Sequence, residues 1–409
     1  MFTIREILKV VKGARVAGRG TRVKGISIDS RTILPGELFI PIKGEKFDGH
    51  QFIPAALRKG ALVLETDNGL KALQALAAYQ RGKFNLPVVG VTGSVGKTTT
   101  KDMIASILAR EFPTLKNEEN FNNEIGVPLT LLRLTKKHQA AVIEMAMQKP
   151  GEIEDLAAIV RPTIAVITNI GESHLEFLKT RRNIARAKAE IFNYLGKEDH
   201  AVINQDDEYY EHLKSKVKNQ KLKVMTFGII EKADVTPKEL KGIKLPLPGE
   251  HNIYNALAAI AVAKILKAKR SSIKRGLEHF IPSSRRMEVI VRPDGTKIIN
   301  DTYNASPQSM SAMLKTIAAL PGRKIAVLGD MLELGRSAKN AHRKIINLSR
   351  ALKIDKIFTF GQLWPGSSHP LKNKKELVKY VKKLIQPRDI ILVKGSRGMK
   401  MEEVVEALV

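Results

Sequence analysis

The chain of 409 residues has no cysteine. That excludes disulfide staples and thiolate metal sites, and it fits an expected cytoplasmic location. Aromatic residues make up only 5% of the chain, with a single tryptophan, and they do not interleave with basic residues as in RNA-binding sheets. A helix-turn-helix signature is missing too. The longest apolar run, Ala256–Ala263, is far too short to cross a bilayer, so no membrane insertion is expected. The opening segment Met1-Phe-Thr-Ile-Arg-Glu-Ile-Leu-Lys9 is broken by charges, which argues against a secretory signal. There is no internal repeat and no low-complexity tract. Acidic residues are also in short supply: 69 Lys and Arg face 41 Asp and Glu, a formal net charge of +28.

A field of that sign concentrates polyanions, and nucleic acid is the first partner it suggests. The basic residues are spread over many segments, however, in short clusters such as Lys136-Lys137, Arg181-Arg182 and Lys374-Lys375. A small polyphosphorylated substrate explains a basic site equally well, and a lysine-rich surface suited to high temperature explains the excess without any ligand. The remaining composition, 43% hydrophobic and 27% charged, is that of a globular protein long enough for two or three domains.

The most informative segment is Gly90-Val-Thr-Gly-Ser-Val-Gly-Lys-Thr-Thr-Thr100. It follows an apolar run, Leu86–Val91, that reads as a buried strand. It leads into 98–110, where Met103, Ile104, Ile107 and Leu108 recur with helical spacing. Strand, glycine-rich turn and helix N-terminus in that order present backbone N–H groups to phosphate oxygens. In such a loop Gly93, Ser94, Val95, Gly96, Lys97, Thr98 and Thr99 wrap a nucleotide, with Lys97 on the β and γ phosphates and the Thr98 hydroxyl on Mg²⁺. Five residues rather than four separate Gly90 from Gly96, a departure from the strict phosphate-loop spacing.

Three blocks are legible, taken as residues 1–84, 85–284 and 285–409. The first is a small α/β unit with a helix over 4–11, strands at 25–28, 38–41 and 61–65, and a helix over 71–81; Arg81-Gly-Lys83 reads as a linker. The second adds apolar runs at 140–145, 163–170, 201–204 and 224–228 between helical stretches, the pattern of a doubly wound, mostly parallel sheet. Ile281-Pro-Ser-Ser-Arg-Arg286 reads as a second linker. Strands are then expected at 297–301, 324–329, 356–361 and 390–394, with a helix starting at Ser306-Pro307, in a further α/β sheet.

Candidate chemistry clusters at strand ends. Glu144 closes the run Ala-Val-Ile-Glu, where a carboxylate can hold Mg²⁺, although a plain strand-end acid has the same sequence. His174 follows the next strand in Thr168-Asn-Ile-Gly-Glu-Ser-His-Leu-Glu176. Asn120, Asn122 and Asn123 crowd one loop, to hold a substrate or to cap turns. Lys188, in Ala-Lys-Ala-Glu, reads on spacing alone as a solvated helix lysine.

Together these segments resemble the Mur ligase superfamily, ATP-dependent amide-forming ligases of peptidoglycan synthesis with folylpolyglutamate synthase relatives. The resemblance rests on the phosphate loop, Asn120-Phe-Asn-Asn-Glu-Ile-Gly126, Glu144, the His174 segment, Ala187-Lys-Ala-Glu-Ile191, Pro248-Gly-Glu-His-Asn-Ile-Tyr-Asn-Ala-Leu-Ala-Ala259, Arg286-Met-Glu288 and Asp301-Thr-Tyr-Asn-Ala-Ser-Pro307. Asp29-Ser-Arg31, Pro35-Gly-Glu-Leu-Phe39 and Asp48-Gly-His50 are similar to the uridine-nucleotide end of the dipeptide-adding branch. Ile325–Gly335 and Leu392–Met399 are similar to its C-terminal domain. The D-N-P-R selector of the sibling that adds the third peptide residue is absent. Ala146, Ala189 and Ser306 depart from the commoner family residues.

The resemblance implies three domains: a small N-terminal uridine-nucleotide domain, a central P-loop ATPase-type doubly wound sheet and a C-terminal Rossmann-like domain. It implies ATP-dependent joining of D-alanyl-D-alanine to UDP-N-acetylmuramoyl-tripeptide through an acyl phosphate, with two Mg²⁺ ions and no nucleic acid, by a monomer. Thr98 and Glu144 would hold one ion, His174 and a carbamylated Lys188 the second; Lys97, Lys188, His174 and Asp301 would be catalytic. Asn255, Arg286 and Asp301 would complete the ATP site. Ser30 and Arg31 would hold the uridine diphosphate, and Asn122, Asn123, Tyr303, Asn304, Lys394, Ser396 and Arg397 the rest of the substrates. A basic nucleic-acid-binding NTPase is the rival reading; it explains the charge and the phosphate loop but gives the other motifs no task.

Overall fold

Apolar runs flanked by turn residues pair with one another because burial of both faces leaves their backbone groups no partner but a neighbouring strand. In the computed structural model, which describes residues 2–44, 47–173, 175–364 and 373–409, they do so in three main sheets and one short antiparallel pair, Phe2–Thr3 with Arg22–Val23. The fold is α/β throughout.

The first main sheet has four strands in the order Arg15–Ala17, Leu62–Glu65, Leu38–Phe39, Ile26–Ser27; only the first pair is antiparallel. The second has six, all parallel: Lys223–Phe227, His200–Asn204, Ile164–Ile167, Val88–Thr92, Ala140–Glu144, Thr114–Lys116. From the innermost strand Val88–Thr92 the chain crosses to the far edge, returns as Ala140–Glu144, then passes to the opposite side as Ile164–Ile167. The order therefore reverses at Val88–Thr92, and the crevice beyond its carboxyl end is where this topology binds ligands. The third sheet runs Glu288–Val291, Lys297–Asp301, Ile390–Lys394, Lys324–Gly329, Lys356–Phe360, parallel except at its first pair.

Helix signals hold locally. Thr3 and Glu6 form a reciprocal capping box, and Ser306 caps Pro307–Ala318 with proline in the first turn. The helix Glu250–Ile265 buries every residue from Ala256 to Ala263, so it is enclosed rather than amphipathic. Its small side chains let it lie against the phosphate-loop helix Lys97–Leu108, and one apolar core joins these helices to Ile299, Met310 and Leu314 of the C-terminal part. Burying each large aliphatic side chain there contributes ~1.5–3 kcal/mol.

The expected linker Arg81-Gly-Lys83 is instead the last turn of the helix Gly69–Gly82 and its C-cap. The Arg81 side chain is buried and donates to the carbonyls of Val160, Arg161 and Phe84 at 2.9, 3.1 and 2.7 Å. Orphan carbonyls at the end of the helix Glu152–Val160 need such a donor, and that demand is invisible in a local reading of Arg-Gly-Lys. The second expected linker, 281–286, has no regular structure. Among the described residues, no helix is long and apolar enough to cross a membrane.

Candidate active site

The phosphate loop is held open by its neighbours. A side chain at Gly93 would collide with the Thr168 hydroxyl and one at Gly96 with the Asn255 amide, and both glycines have positive φ. Thr168 and Asn169, at the end of the adjacent strand, clasp the loop: Thr168 Oγ1 donates to the Val95 carbonyl at 2.7 Å, and Asn169 Oδ1 accepts from Val95 N at 3.1 Å. Ser94 N donates to the Asn169 carbonyl, and Ser94 Oγ accepts from Gly171 N. The loop is thereby fixed before any phosphate arrives.

A cleft of about 980 Å³ opens beyond it. Of the expected loop residues, Ser94, Val95, Gly96, Lys97, Thr98 and Thr99 line it. From the neighbouring strand and the asparagine loop come Glu144, Asn122 and Asn123; from the C-terminal sheet and the segments flanking it come Arg286, Asp301, Tyr303, Asn304 and Lys394. Glu144 is 3% exposed, and its Oε1 accepts from Asn122 Nδ2 at 2.8 Å. Tyr303 donates across to Asn120, a hydrogen bond that bridges the two walls, and within its own wall the Arg286 guanidinium lies 3.7 Å over the Tyr303 ring, a cation–π contact. Burial raises the Tyr303 hydroxyl above the usual phenol range.

Lys188 is not solvated. It is 2% exposed beneath the loop, and its Nζ donates to the Gly93 carbonyl at 2.8 Å. Burial first, then the charge of Lys97, pushes it well below the ordinary lysine value. The helix Arg181–Ala189 has an apolar face of Ile184 and Ala185, and Lys188 falls on it by spacing, so the signal was present. Lys97 opens on the cleft but is closely surrounded by protein, donating to the carbonyls of Gly93 and Ser94 at 3.0 and 3.3 Å. Desolvation lowers it, partly opposed by Glu144.

Lys394 Nζ meets Asp301 Oδ2 at 2.5 Å and the Asn304 carbonyl at 2.9 Å. Asp301 Oδ1 also accepts from Met287 N at 3.1 Å. Asn255 lines the cleft, but its amide is already engaged with Thr100 and Asn252 at 3.2 Å each, behind the phosphate loop. His251, on the same helix, is lowered mainly by burial.

Four expected substrate contacts stand apart from the cleft. Arg31 is highly exposed and pairs with Asp29 within its own turn at 2.7 Å; Ser30 is buried beside it. Ser396 spends its hydroxyl on the Ala305 carbonyl and the Leu332 N–H, and Arg397 pairs with Glu402 at 3.0 Å. Gly93 is buried within the loop and does not line the cleft. His174 lies outside the described residues. Sequence reasoning missed the Thr168-Asn169 clasp and Asp207, a cleft residue whose carboxylate accepts from the N–H groups of Ile170 and Tyr209 and is raised by burial. A polar pair directly after a buried strand was the available signal for the first.

Three family models match in series: the Mur ligase family catalytic domain at residues 22–95, the Mur ligase middle domain at 91–263 and the Mur ligase glutamate ligase domain at 285–397. A Bacillus subtilis protein named UDP-N-acetylmuramoyl-tripeptide–D-alanyl-D-alanine ligase is 38% identical over 100% of this chain and 98% of its own length. The chain belongs to the Mur ligase family. The Escherichia coli ligase of the same name is 33% identical over 99% of this chain and 98% of its own. Among solved Mur ligases, MurF from Acinetobacter baumannii superposes with a TM-score of 0.92 at 33% identity, covering 100% of this chain and 98% of that one. MurF from Thermotoga maritima, solved in complex with ADP, superposes with a TM-score of 0.84 at 28% identity, covering 94% and 97%.

Proposed function

We infer that this chain is an ATP-dependent ligase that joins D-alanyl-D-alanine to UDP-N-acetylmuramoyl-tripeptide, completing the UDP-N-acetylmuramoyl-pentapeptide precursor of peptidoglycan. The observation that carries the reading is one cleft in which a preformed phosphate loop, a buried carboxylate and a cationic C-terminal wall face one another. Full-length similarity to relatives bearing that activity in their names supports it. The tripeptide carboxylate attacks the γ phosphorus of ATP, and the bond to ADP breaks. The amine of the dipeptide then adds to the acyl phosphate, and phosphate leaves as the amide forms and the amine gives up a proton.

The barrier is crowded negative charge. Lys97 is positioned to neutralise the β and γ phosphates, and loop N–H groups to hold their oxygens. The donor set fits Mg²⁺, which takes one or two carboxylates plus phosphates rather than a protein cage. Glu144 and Thr98 are both 3% exposed at the cleft, and the described residues hold no group of three or more His, Cys, Asp or Glu that could form a protein cage for a metal. Mg²⁺ would supply Lewis-acid neutralisation of the transferring phosphoryl group. Thr98 and Glu144 would hold one ion, and His174 with a carbamylated Lys188 the second. Burial favours the uncharged form of the Lys188 amine, the form that reacts with CO₂, which supports that role.

Arg286 and Asp301 would meet the nucleotide or acyl phosphate, Asn255 the adenine side, and Lys394, Tyr303, Asn304, Asn122 and Asn123 the peptide ends. Ser30 and Arg31 would bind the uridine diphosphate, away from the chemistry, as a long substrate requires. Ser396 would act through the loop it braces, and Arg397 at its rim. The working domains would be residues 1–84, 85–284 and 285–409, in a cytoplasmic monomer without nucleic acid.

Phosphate release from ATP is the test, with each substrate alone and both together. Release that needs both, with a pentapeptide product by mass, supports the reading; silence from folded, ADP-binding protein with either lysine or diaminopimelate tripeptide overturns it. Lys188→Ala should abolish most turnover, and removing CO₂ and bicarbonate should slow the wild type. Full turnover in both would sink the carbamylation.

A further inference from the structure

One turn beyond Lys97 and Thr98, the phosphate-loop helix carries two adjacent charges that are almost wholly enclosed: Lys101 is 2% exposed and Asp102 3%, and neither lines the cleft. Enclosed charges are costly unless hydrogen bonds and counter-charge compensate them. These two are compensated in opposite directions. Lys101 Nζ donates to the Asn117 carbonyl at 2.9 Å and stands 3.4 Å from Asp102 Oδ1. Asn117, fully buried, spends its whole amide: Oδ1 accepts from Glu144 N at 2.9 Å, and Nδ2 donates to the carbonyls of Glu144 and Phe121 at 3.0 and 2.8 Å. Its side chain thus extends the parallel ladder past the end of the strand Thr114–Lys116. It fixes the backbone of the residue that presents the cleft carboxylate and the loop that brings Asn122 to it.

Asp102 faces the other way. Its Oδ1 accepts from Lys116 Nζ at 2.7 Å and its Oδ2 from the Ser283 hydroxyl at 2.7 Å. Ser283 lies in the irregular segment between the central and C-terminal sheets, three residues before Arg286, whose guanidinium covers Tyr303 on the cleft wall that faces Glu144.

We propose that Lys101 and Asp102 are positioning residues that tie both cleft walls to one turn of the phosphate-loop helix: Lys101 sets the Glu144 carboxylate through Asn117, and Asp102 sets Arg286 through Ser283. Phosphoryl transfer is sensitive to displacements of about 1 Å, and a shared anchor keeps the two walls in register with the loop that grips the nucleotide. The proposal rests on the cleft being the ATP site of the ligase inferred above.

The test uses full-length protein and two readouts. Lys101→Met keeps volume and removes the cation. It should raise the Mg²⁺ concentration for half-maximal phosphate release about tenfold and leave KM for D-alanyl-D-alanine unchanged, with Lys101→Arg restoring most of the loss. In calorimetry without peptide substrates, the tightening of ADP binding by Mg²⁺ should shrink by about the same factor. Ser283→Ala, on a half-buried segment that tolerates it, should lower kcat while ADP affinity with Mg²⁺ stays at the wild-type value. A folded Lys101→Met protein with the wild-type Mg²⁺ requirement and Mg²⁺-linked ADP affinity overturns the first half, and unchanged kcat in Ser283→Ala overturns the second. If Lys101→Met does not fold, Lys101→Arg decides the first half: a Mg²⁺ requirement moved far beyond the wild-type value would overturn it, and one near the wild-type value would support it. Wild type that binds ADP with Mg²⁺ yet makes no pentapeptide would overturn the ligase reading, leaving the calorimetric arm to decide the positioning.

Discussion

The cleft has a lysine buried in each of two walls, and the walls neutralise them differently. On the C-terminal side Lys394, 2% exposed, meets the Asp301 carboxylate at 2.5 Å with two carbonyls behind it. On the central side Lys188, equally buried, has the Gly93 carbonyl at 2.8 Å, and its charged neighbour is another cation, Lys97. The first arrangement is closed: each charge has its counter-charge inside the protein. The second carries an electrostatic deficit at the floor of the phosphate loop. Such a deficit is unfavourable in the protein alone and favourable once a polyanion sits over it. Equal burial with unequal pairing therefore separates a lysine whose charge is met inside the protein from one whose charge is left for a ligand to meet.

The largest effect should come from the deficit. Lys97→Ala removes the cation that opens on the cleft, and phosphate release should fall by about 10²–10³ or more, as for loss of a preorganised donor to developing charge. Its urea midpoint should stay at or above the wild-type value, because no internal ion pair is broken. Near-normal turnover would remove the basis of the comparison. Next in size is the closed pair. Lys394→Met strands the Asp301 carboxylate, and stability should drop by ~3–5 kcal/mol in urea titration, the usual cost of breaking a buried pair from one side. A midpoint indistinguishable from wild type would mean that the Lys394–Asp301 contact does not hold the wall.

Much of this is legible in the sequence. Continuous apolar runs located most of the parallel strands, and Gly93, Gly96 and Lys97 located the loop, because those signals are local. The apolar face of its helix hints that Lys188 is buried, but its partner, the carbonyl of Gly93, lies 95 residues away in sequence and has no local signal. Arg81 was misread for the same reason: its partners are the carbonyls of Val160 and Arg161, on another element. The engagement of Asn255 with Thr100 likewise joins two helices that only packing brings together. Residue chemistry was readable along the chain; who satisfies whom across it was not.

The smallest predicted effect carries the sharpest sign. Replacing Lys188 by Met removes a buried amine whose charged form the fold disfavours, so at neutral pH the variant should be as stable as wild type or more so, the reverse of Lys394→Met. The pH dependence follows from the depressed value of Lys188. Below that value the unfolded chain and the fold both hold the proton, and the wild type bears the full burial penalty. Between it and the ordinary lysine value of 10.5 the unfolded chain binds the extra proton, so wild-type stability rises with pH relative to the variant. The stability gap between Lys188→Met and wild type should accordingly narrow as pH climbs toward 10.5, read as converging urea midpoints in CO₂-free buffer. Midpoints that diverge, or a variant that loses stability as Lys394→Met does, would mean that Lys188 is internally neutralised after all and that the two walls are built alike.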